Sequence, residues 1–209
     1  MTRYAGLDVS KTCTGWGLIT PEGISSGTMR CKIKRPFELP AGKIDAAYAG
    51  KVGDWYQREL DAWLVKHKPD TIAIEQPQPG SLERTKTEIN HATMFAGEAK
   101  KKVKVGGTSF EVTHFLISLA FLMSTVCIRR GLQPVYVPSN EWRGTVGIGK
   151  PPHTVEAKNR RDWYKKKARE TALARGHETK SGDAAEALCI ALHLKLQAEP
   201  EGTLFSAVS

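Results

Sequence analysis

The hydrophobic pattern opens with an apolar run, Tyr4-Ala5-Gly6-Leu7-Asp8-Val9, and a second, Thr14-Gly15-Trp16-Gly17-Leu18-Ile19, with a short Ser- and Lys-containing turn between them. Both read as strands lying side by side. Pro21-Glu22-Gly23 is a turn, and residues 24–33 have the length and mixed character of a third strand. Three strands joined by tight turns predict an antiparallel meander. Residues 34–45 are rich in Pro, Gly and polar side chains and read as a loop. Val52, Trp55, Tyr56, Leu60, Trp63 and Leu64 then recur at helical spacing, with Lys51, Asp54, Arg58, Glu59 and Lys66 between them. This is an amphipathic helix ending near Pro69, and its aromatics lie on the packing stripe.

Thr71-Ile72-Ala73-Ile74-Glu75-Gln76 comes next as a short strand of the buried, parallel kind, reached by a helical crossover. Residues 81–107 are polar, with a helical turn suggested around Met94 and Phe95 and a basic run, Lys100-Lys101-Lys102-Val103-Lys104. They suggest an inserted hairpin or a mobile arm. Residues 111–130 form a long helix, apolar nearly all round, with Gly131 as its cap and Pro134 beyond. Such a helix has to be covered, by the core or partly by a second copy of the chain. Pro134-Val135-Tyr136-Val137-Pro138 is a fifth strand, and residues 140–150, rich in glycine and carrying Arg143 and Lys150, read as a flexible loop facing phosphate. A last helix begins near Ser181 or Asp183, and residues 198–209 form a loose, flexible tail. The expected architecture is α/β. A five-stranded mixed sheet, three strands in a meander and two parallel, is flanked by helices in one domain of residues 1–197, with a basic insertion around 81–110.

Charge adds a partner. The 209 residues include 31 Lys and Arg against 22 Asp and Glu, a formal net charge of +9. The excess gathers between residues 158 and 169, where Lys158, Arg160, Arg161, Lys165, Lys166, Lys167 and Arg169 are opposed only by Asp162. A solvated helix face mixes its signs through i,i+4 pairs, so this segment, with Arg143 and Lys150, points to phosphate contacts along DNA. Cys13, Cys31, Cys127 and Cys189 stand singly, without zinc-finger or C-x-x-C spacing. With no signal segment before the first strand, the expected location is the cytoplasm. The apolar stretch at 112–128 carries several hydroxyl side chains and is short for a membrane span. The glycine spacing fits neither a Walker loop nor a dinucleotide fingerprint, so no nucleotide cofactor is expected.

The candidate chemistry lies in four acids. Asp8 and Glu75 end two core strands, where ligand sites of such sheets cluster. Asp is a poor strand former and costly to bury, so Asp8 either opens the turn by accepting backbone N–H groups or ligates a metal. Asp183 and Glu186, three apart at a helix start, share a face; by themselves they also fit a capping box. Together the four make an all-oxygen donor set suited to Mg²⁺ or Mn²⁺. Such a cluster can hold two ions about 3.5–4 Å apart, the arrangement that serves phosphodiester hydrolysis.

Four motifs in order then resemble the RuvC family of Holliday junction resolvases, especially its bacteriophage-type members. They are Gly6-Leu7-Asp8-Val9-Ser10 with Thr14-Gly15-Trp16-Gly17, Ala73-Ile74-Glu75-Gln76, Thr145-Val146-Gly147-Ile148-Gly149, and Asp183-Ala184-Ala185-Glu186-Ala187-Leu188. The resemblance implies an RNase H-like fold, a homodimer, and Mg²⁺-dependent paired nicking of four-way DNA junctions. It gives Asp8, Glu75, Asp183 and Glu186 the catalytic and metal-binding roles. It also implies a basic residue beside the acids, which Arg143, Lys158 or one of Lys165, Lys166 and Lys167 could match. Two departures stand out: the fourth acid of the family is commonly Asp, and Pro77-Gln78-Pro79-Gly80 replaces an aromatic often found after the second acid. The alternatives are a catalytically inactive junction-binding or architectural DNA protein, and an actin-like kinase. The first fits poorly with four intact acids, and the second needs a duplicated half for which 209 residues leave no room.

Overall fold

The computed structural model describes residues 2–40, 43–77, 84–89, 100–105 and 110–200. β1 (Tyr4–Asp8), β2 (Cys13–Thr20) and β3 (Gly23–Arg30) form the expected antiparallel meander. β4 (Thr71–Glu75) lies parallel to β1, and the edge strand β7 (Val135–Val137) parallel to β4. The central sheet thus has the strand order β3-β2-β1-β4-β7. The crossover from β3 to β4 is the helix α1 (Ala46–His67), begun by Asp45, whose carboxylate accepts from the Tyr48 N–H at 2.6 Å. A second crossover passes through α2 (Phe110–Arg129), which stops at Gly131 with φ +79° and a Leu132 N–H to Cys127 carbonyl bond of 3.0 Å. That left-handed turn is cheap for glycine alone.

Because side chains alternate across a strand, each strand splits its residues between two layers. Ala5, Leu7, Ile72 and Ile74 join Val52, Tyr56 and Leu60 of α1 and Leu119 and Met123 of α2 in the larger core. The other face carries Gly6, Asp8, Ala73 and Glu75, and meets α5 (Gly182–Ala198). Here the chain has removed side chains to admit a helix. A Cβ on Gly6 would lie 2.3 Å from the Ala187 carbonyl oxygen, one on Gly17 2.3 Å from Leu188 Cα, and one on Gly15 2.0 Å from the Asp183 carbonyl oxygen. On the helix side, Ala184, Ala187 and Ala191 are buried. Gly6 pairs with Gly17 and Asp8 with Gly15, so this glycine floor runs up to the first acid. Gly15→Ala is expected to push α5 off the sheet, costing about 1–3 kcal/mol as overpacking does. A lowered melting temperature is the expected result.

Three sequence expectations change. The third strand stops at Arg30. The glycine-rich stretch is not a flexible loop throughout: Ser139–Thr145 form a short helix, α3, with Trp142 fully buried, and Ile148 beyond it is buried too. Pro138 precedes the helix in an extended conformation. The last helix is capped by Ser181, whose hydroxyl accepts from the Ala184 N–H at 3.3 Å. Ala184 therefore holds the third helical position, and Asp183 and Glu186 form no capping box.

Of the candidate insertion, the described backbone pairs β5 (Arg84–Ile89) antiparallel with β6 (Lys100–Val105), the hairpin rather than the bare arm. The turn suggested at Met94 and Phe95 lies outside the described residues, as does most of the tail. α4 (Arg160–Ala174) carries the basic segment and packs through Ala168 and Ala172. α2 is long and apolar enough to cross a membrane by length and composition, yet it lays Leu119, Met123 and Cys127 into the core.

Candidate active site

The four acids converge from three separate elements at one end of the sheet. Ligand oxygens of Asp8, Asp183 and Glu186 lie within 4.8 Å of one another. Glu75 stands beside this trio, close enough to raise the proton affinity of both Asp8 and Glu186. Asp8 does not close the turn after β1. Thr14 does so, its buried hydroxyl accepting from the Ser10 N–H and donating to the Ser10 carbonyl, both at 3.2 Å. The Asp8 carboxyl is left to its fellow acids.

Such crowding has an electrostatic consequence. Burial, then the charges of Glu75 and Glu186, push the Asp8 carboxyl well above the usual carboxylate range. Glu186, 7% exposed, is pushed up to about 7 by burial and by Glu75, against the opposing pull of Arg143 and Lys165. Like charges brought out of water hold protons unless a cation joins them.

Two side chains already supply positive charge. Lys165 of α4 donates to Asp183, and its stem runs over Gly182, where a Cβ would sit 2.8 Å from Lys165 Cδ. Arg143 of α3 reaches Glu186 at 3.4 Å, with its guanidinium 4.0 Å from the Tyr164 ring centroid and 4.9 Å from that of Trp142. Its Nε is buried with no hydrogen-bond partner among the described residues. Stacking on two rings fixes the planar group in a way an ammonium could not reproduce. The basic residue beside the acids is thus a pair, Arg143 and Lys165, and not Lys158, which is exposed and pairs with Glu156 at 2.9 Å.

Among the other candidate DNA contacts, Lys150, Arg160, Arg161 and Lys166 are exposed, while Lys167 binds Glu170 at 2.6 Å. The structure also brings in residues that the sequence did not single out. Ser139 donates to Glu75, with the Trp142 indole N–H at 3.4 Å from the same oxygen. Tyr164 supports Arg143. His193 of α5 binds the Thr145 hydroxyl at 2.9 Å and so ties α3 to the helix that carries two of the acids. Only the serine after a strand-ending proline offered a local signal, and Glu75 is 64 residues away from it.

No protein-family model matches the sequence, and no curated protein matches it. Solved structures do. RuvC of T. thermophilus in complex with a Holliday junction substrate superposes with a TM-score of 0.57 at 13% identity, over 96% of this chain and 97% of that one. A second Thermus thermophilus RuvC structure gives 0.53 at 12% identity, covering 94% and 95%. The architecture is therefore α/β of the RNase H-like type, and the fold is RuvC-like over nearly the whole chain.

Proposed function

We propose that this protein is a RuvC-like Holliday junction resolvase of the bacteriophage type, a metal-dependent endonuclease that cuts four-way DNA junctions by paired nicks. The observation that carries this reading is the convergence of Asp8, Glu75, Asp183 and Glu186 at one end of a RuvC-like sheet, with Arg143 and Lys165 at their edge.

The donor set fits a hard divalent ion. It is all oxygen, it gathers three ligand atoms within 4.8 Å, and its acids raise one another's proton affinity, which a cation would relieve. Asp8, Asp183 and Glu186 would hold Mg²⁺ or Mn²⁺, with Glu75 completing a place for a second ion. Bound there, such ions supply Lewis acidity toward a phosphodiester and its attacking water. The protein's own groups do the rest. Ser139 fixes the Glu75 carboxylate, the glycine floor fixes the backbones of Asp8 and Asp183, and Arg143 and Lys165 bring two positive charges to the rim that an anionic phosphodiester must pass. The test is a labelled four-way junction incubated with protein and Mg²⁺, Mn²⁺, Ca²⁺ or ATP alone. Paired cuts are expected with the first two ions. Binding without cutting in Mg²⁺ would favour the inactive junction-binding alternative.

The exposed cations of α4 supply affinity. R160A/R161A/K166A is expected to weaken binding about equally for junctions of any sequence. It should also flatten the slope of log affinity against log salt by about 0.9 for each phosphate no longer neutralised. Lys165 is left out because it serves Asp183. An unchanged slope would remove α4 from the DNA surface.

A four-way junction presents equivalent strands to a two-fold dimer, and we propose α2 as the interface. Phe121 and Ile128 on α2 are 68% and 62% exposed, with Tyr136 of β7 beside Phe121. F121E is expected to halve the mass measured by light scattering at micromolar concentration, while the melting temperature changes little. A wild-type protein that cuts junctions as a monomer would overturn the dimer.

A further inference from the structure

On the sheet face opposite the acids is a groove of ≈ 460 Å³ between β2, β3 and α1. Its wall is a cluster of three rings. Trp16 lies 5.6 Å from Trp63 and 5.3 Å from His67, and Trp63 stacks on His67 at 4.9 Å with 29° between the planes. Trp63 belongs to the core, but Trp16 and His67 remain partly exposed at the groove. Arg30, Lys32 and Lys66 also line it, all exposed and in no ion pair with a described residue, and Glu59 is the one acid among the lining residues.

The strand register puts this groove at the acids' end of the sheet. Asp8 pairs with Gly15 and Gly15 with Thr28, while Trp16 pairs with Leu7 and so faces α1 rather than α5. Arg30 pairs with Cys13, two residues from Gly15 and so on the side of Asp8, which makes it the link at the β3 edge between the acids' face and the groove it lines. From β1 to β3 is two strand spacings, about 10 Å. A DNA strand passing the carboxylates can therefore turn over the β3 edge into the groove.

We propose that the groove seats an unpaired nucleotide of the DNA substrate, its base against Trp16 and His67 and its flanking phosphates on Arg30, Lys32 and Lys66. A partly open aromatic surface rimmed by unpaired cations is the arrangement that takes single-stranded nucleic acid without reading its sequence, since every base offers a π-face. Burial and the neighbouring Lys66 hold the His67 imidazole below its usual value, so the ring is neutral at pH 7 and free to stack. The inference rests on the reading of this chain as a DNA-acting protein, and adds that strand opening beside the cut site is part of what it recognises.

The experiment uses a 12-residue oligothymidylate carrying one 5-iodouracil, and needs no cutting. Wild-type protein is expected to bind it, to lose tryptophan fluorescence on binding, and to cross-link at Trp16 or His67. R30A/K32A/K66A alters only exposed side chains, so its melt should match wild type while affinity for the oligonucleotide falls about tenfold or more. H67A should lower cross-linking in parallel. Unchanged affinity in the triple variant, or cross-links confined to α4, would overturn the groove. A wild-type protein that fails to cut junctions, yet cross-links at Trp16, would overturn the resolvase reading and leave the groove standing.

Discussion

Asp8→Asn is expected to lower junction cutting by on the order of 10³-fold or more, while leaving the fold and junction binding in place. The size follows from the arrangement: Asp8 feels the charge of each of the other three acids, and members of a catalytic unit fail together rather than in proportion. Binding should survive because the exposed cations proposed to contact phosphate, Arg160, Arg161 and Lys166, belong to another element. The fold should survive because Thr14, not Asp8, closes the turn. Glu75→Gln should behave in the same way, and the double variant should be little worse than either single one. The measurement is single-turnover nicking of a four-way junction beside a thermal melt and a gel-shift titration. Wild-type cutting by Asp8→Asn would remove the metal site and with it the proposed function.

The second large effect is on stability. In chelator, the protein should become less stable as pH rises from about 4.5 to about 7, with Glu186 as a main cause. An ordinary glutamate carboxyl titrates near 4.5, and this one is held at about 7 in the folded chain. Below the lower value both states carry the proton and the group contributes nothing. Between the two, only the unfolded chain has ionised it, so folding loses ground with each step in pH. Above about 7 the loss is complete, about 3 kcal/mol, or roughly 6–12 °C in melting temperature for a chain this size. Asp8, raised for the same reasons, acts in the same direction. His67 and His193 are held below their usual value and act with the opposite sign near pH 6.5, so the comparison with Glu186→Gln isolates the carboxyl. Glu186→Gln should flatten the profile, and Mg²⁺ should restore wild-type stability most at pH 8. A wild-type profile parallel to that of Glu186→Gln would mean that Glu186 is not crowded by its neighbours.

Much of this site was legible because strand periodicity and strand ends are local properties. Asp8 and Glu75 could be read as carboxylates at the ends of two core strands, and the register adds that those strands are neighbours. Asp183 and Glu186 could be placed on one helix face, but capping and ligation look alike in sequence, and only the structure shows that Ser181, two residues before Asp183, is the cap. The parts that stayed hidden depend on the absence of side chains or on distant contacts. Gly6, Gly15 and Gly17 read as strand and turn residues because a missing Cβ leaves no period, yet they bring α5 against the sheet. Lys165 was one of seven basic residues in a run, and Gly182 is what lets its stem turn inward to Asp183. Residues 139–145 read as loop in sequence because glycines are frequent from Gly144 to Gly149, whereas the buried Trp142 anchors them as helix.

The glycine floor also bears on how such a site can be controlled. A Cβ on Gly6 of β1 would lie 2.3 Å from the Ala187 carbonyl oxygen, and one on Gly15, the β2 partner of Asp8, 2.0 Å from the Asp183 carbonyl oxygen, so the strand of Asp8 and the helix of Asp183 pack backbone to backbone. Such packing makes them one cooperative unit, and their amide protons are expected to exchange as slowly as those of the core. Breathing motions of this unit are then expected to leave Asp8 and Asp183 together. Arg143 of α3 and Lys165 of α4 approach the acids through side chains alone, so a shift of either helix would change the charge at the acids without moving their backbones.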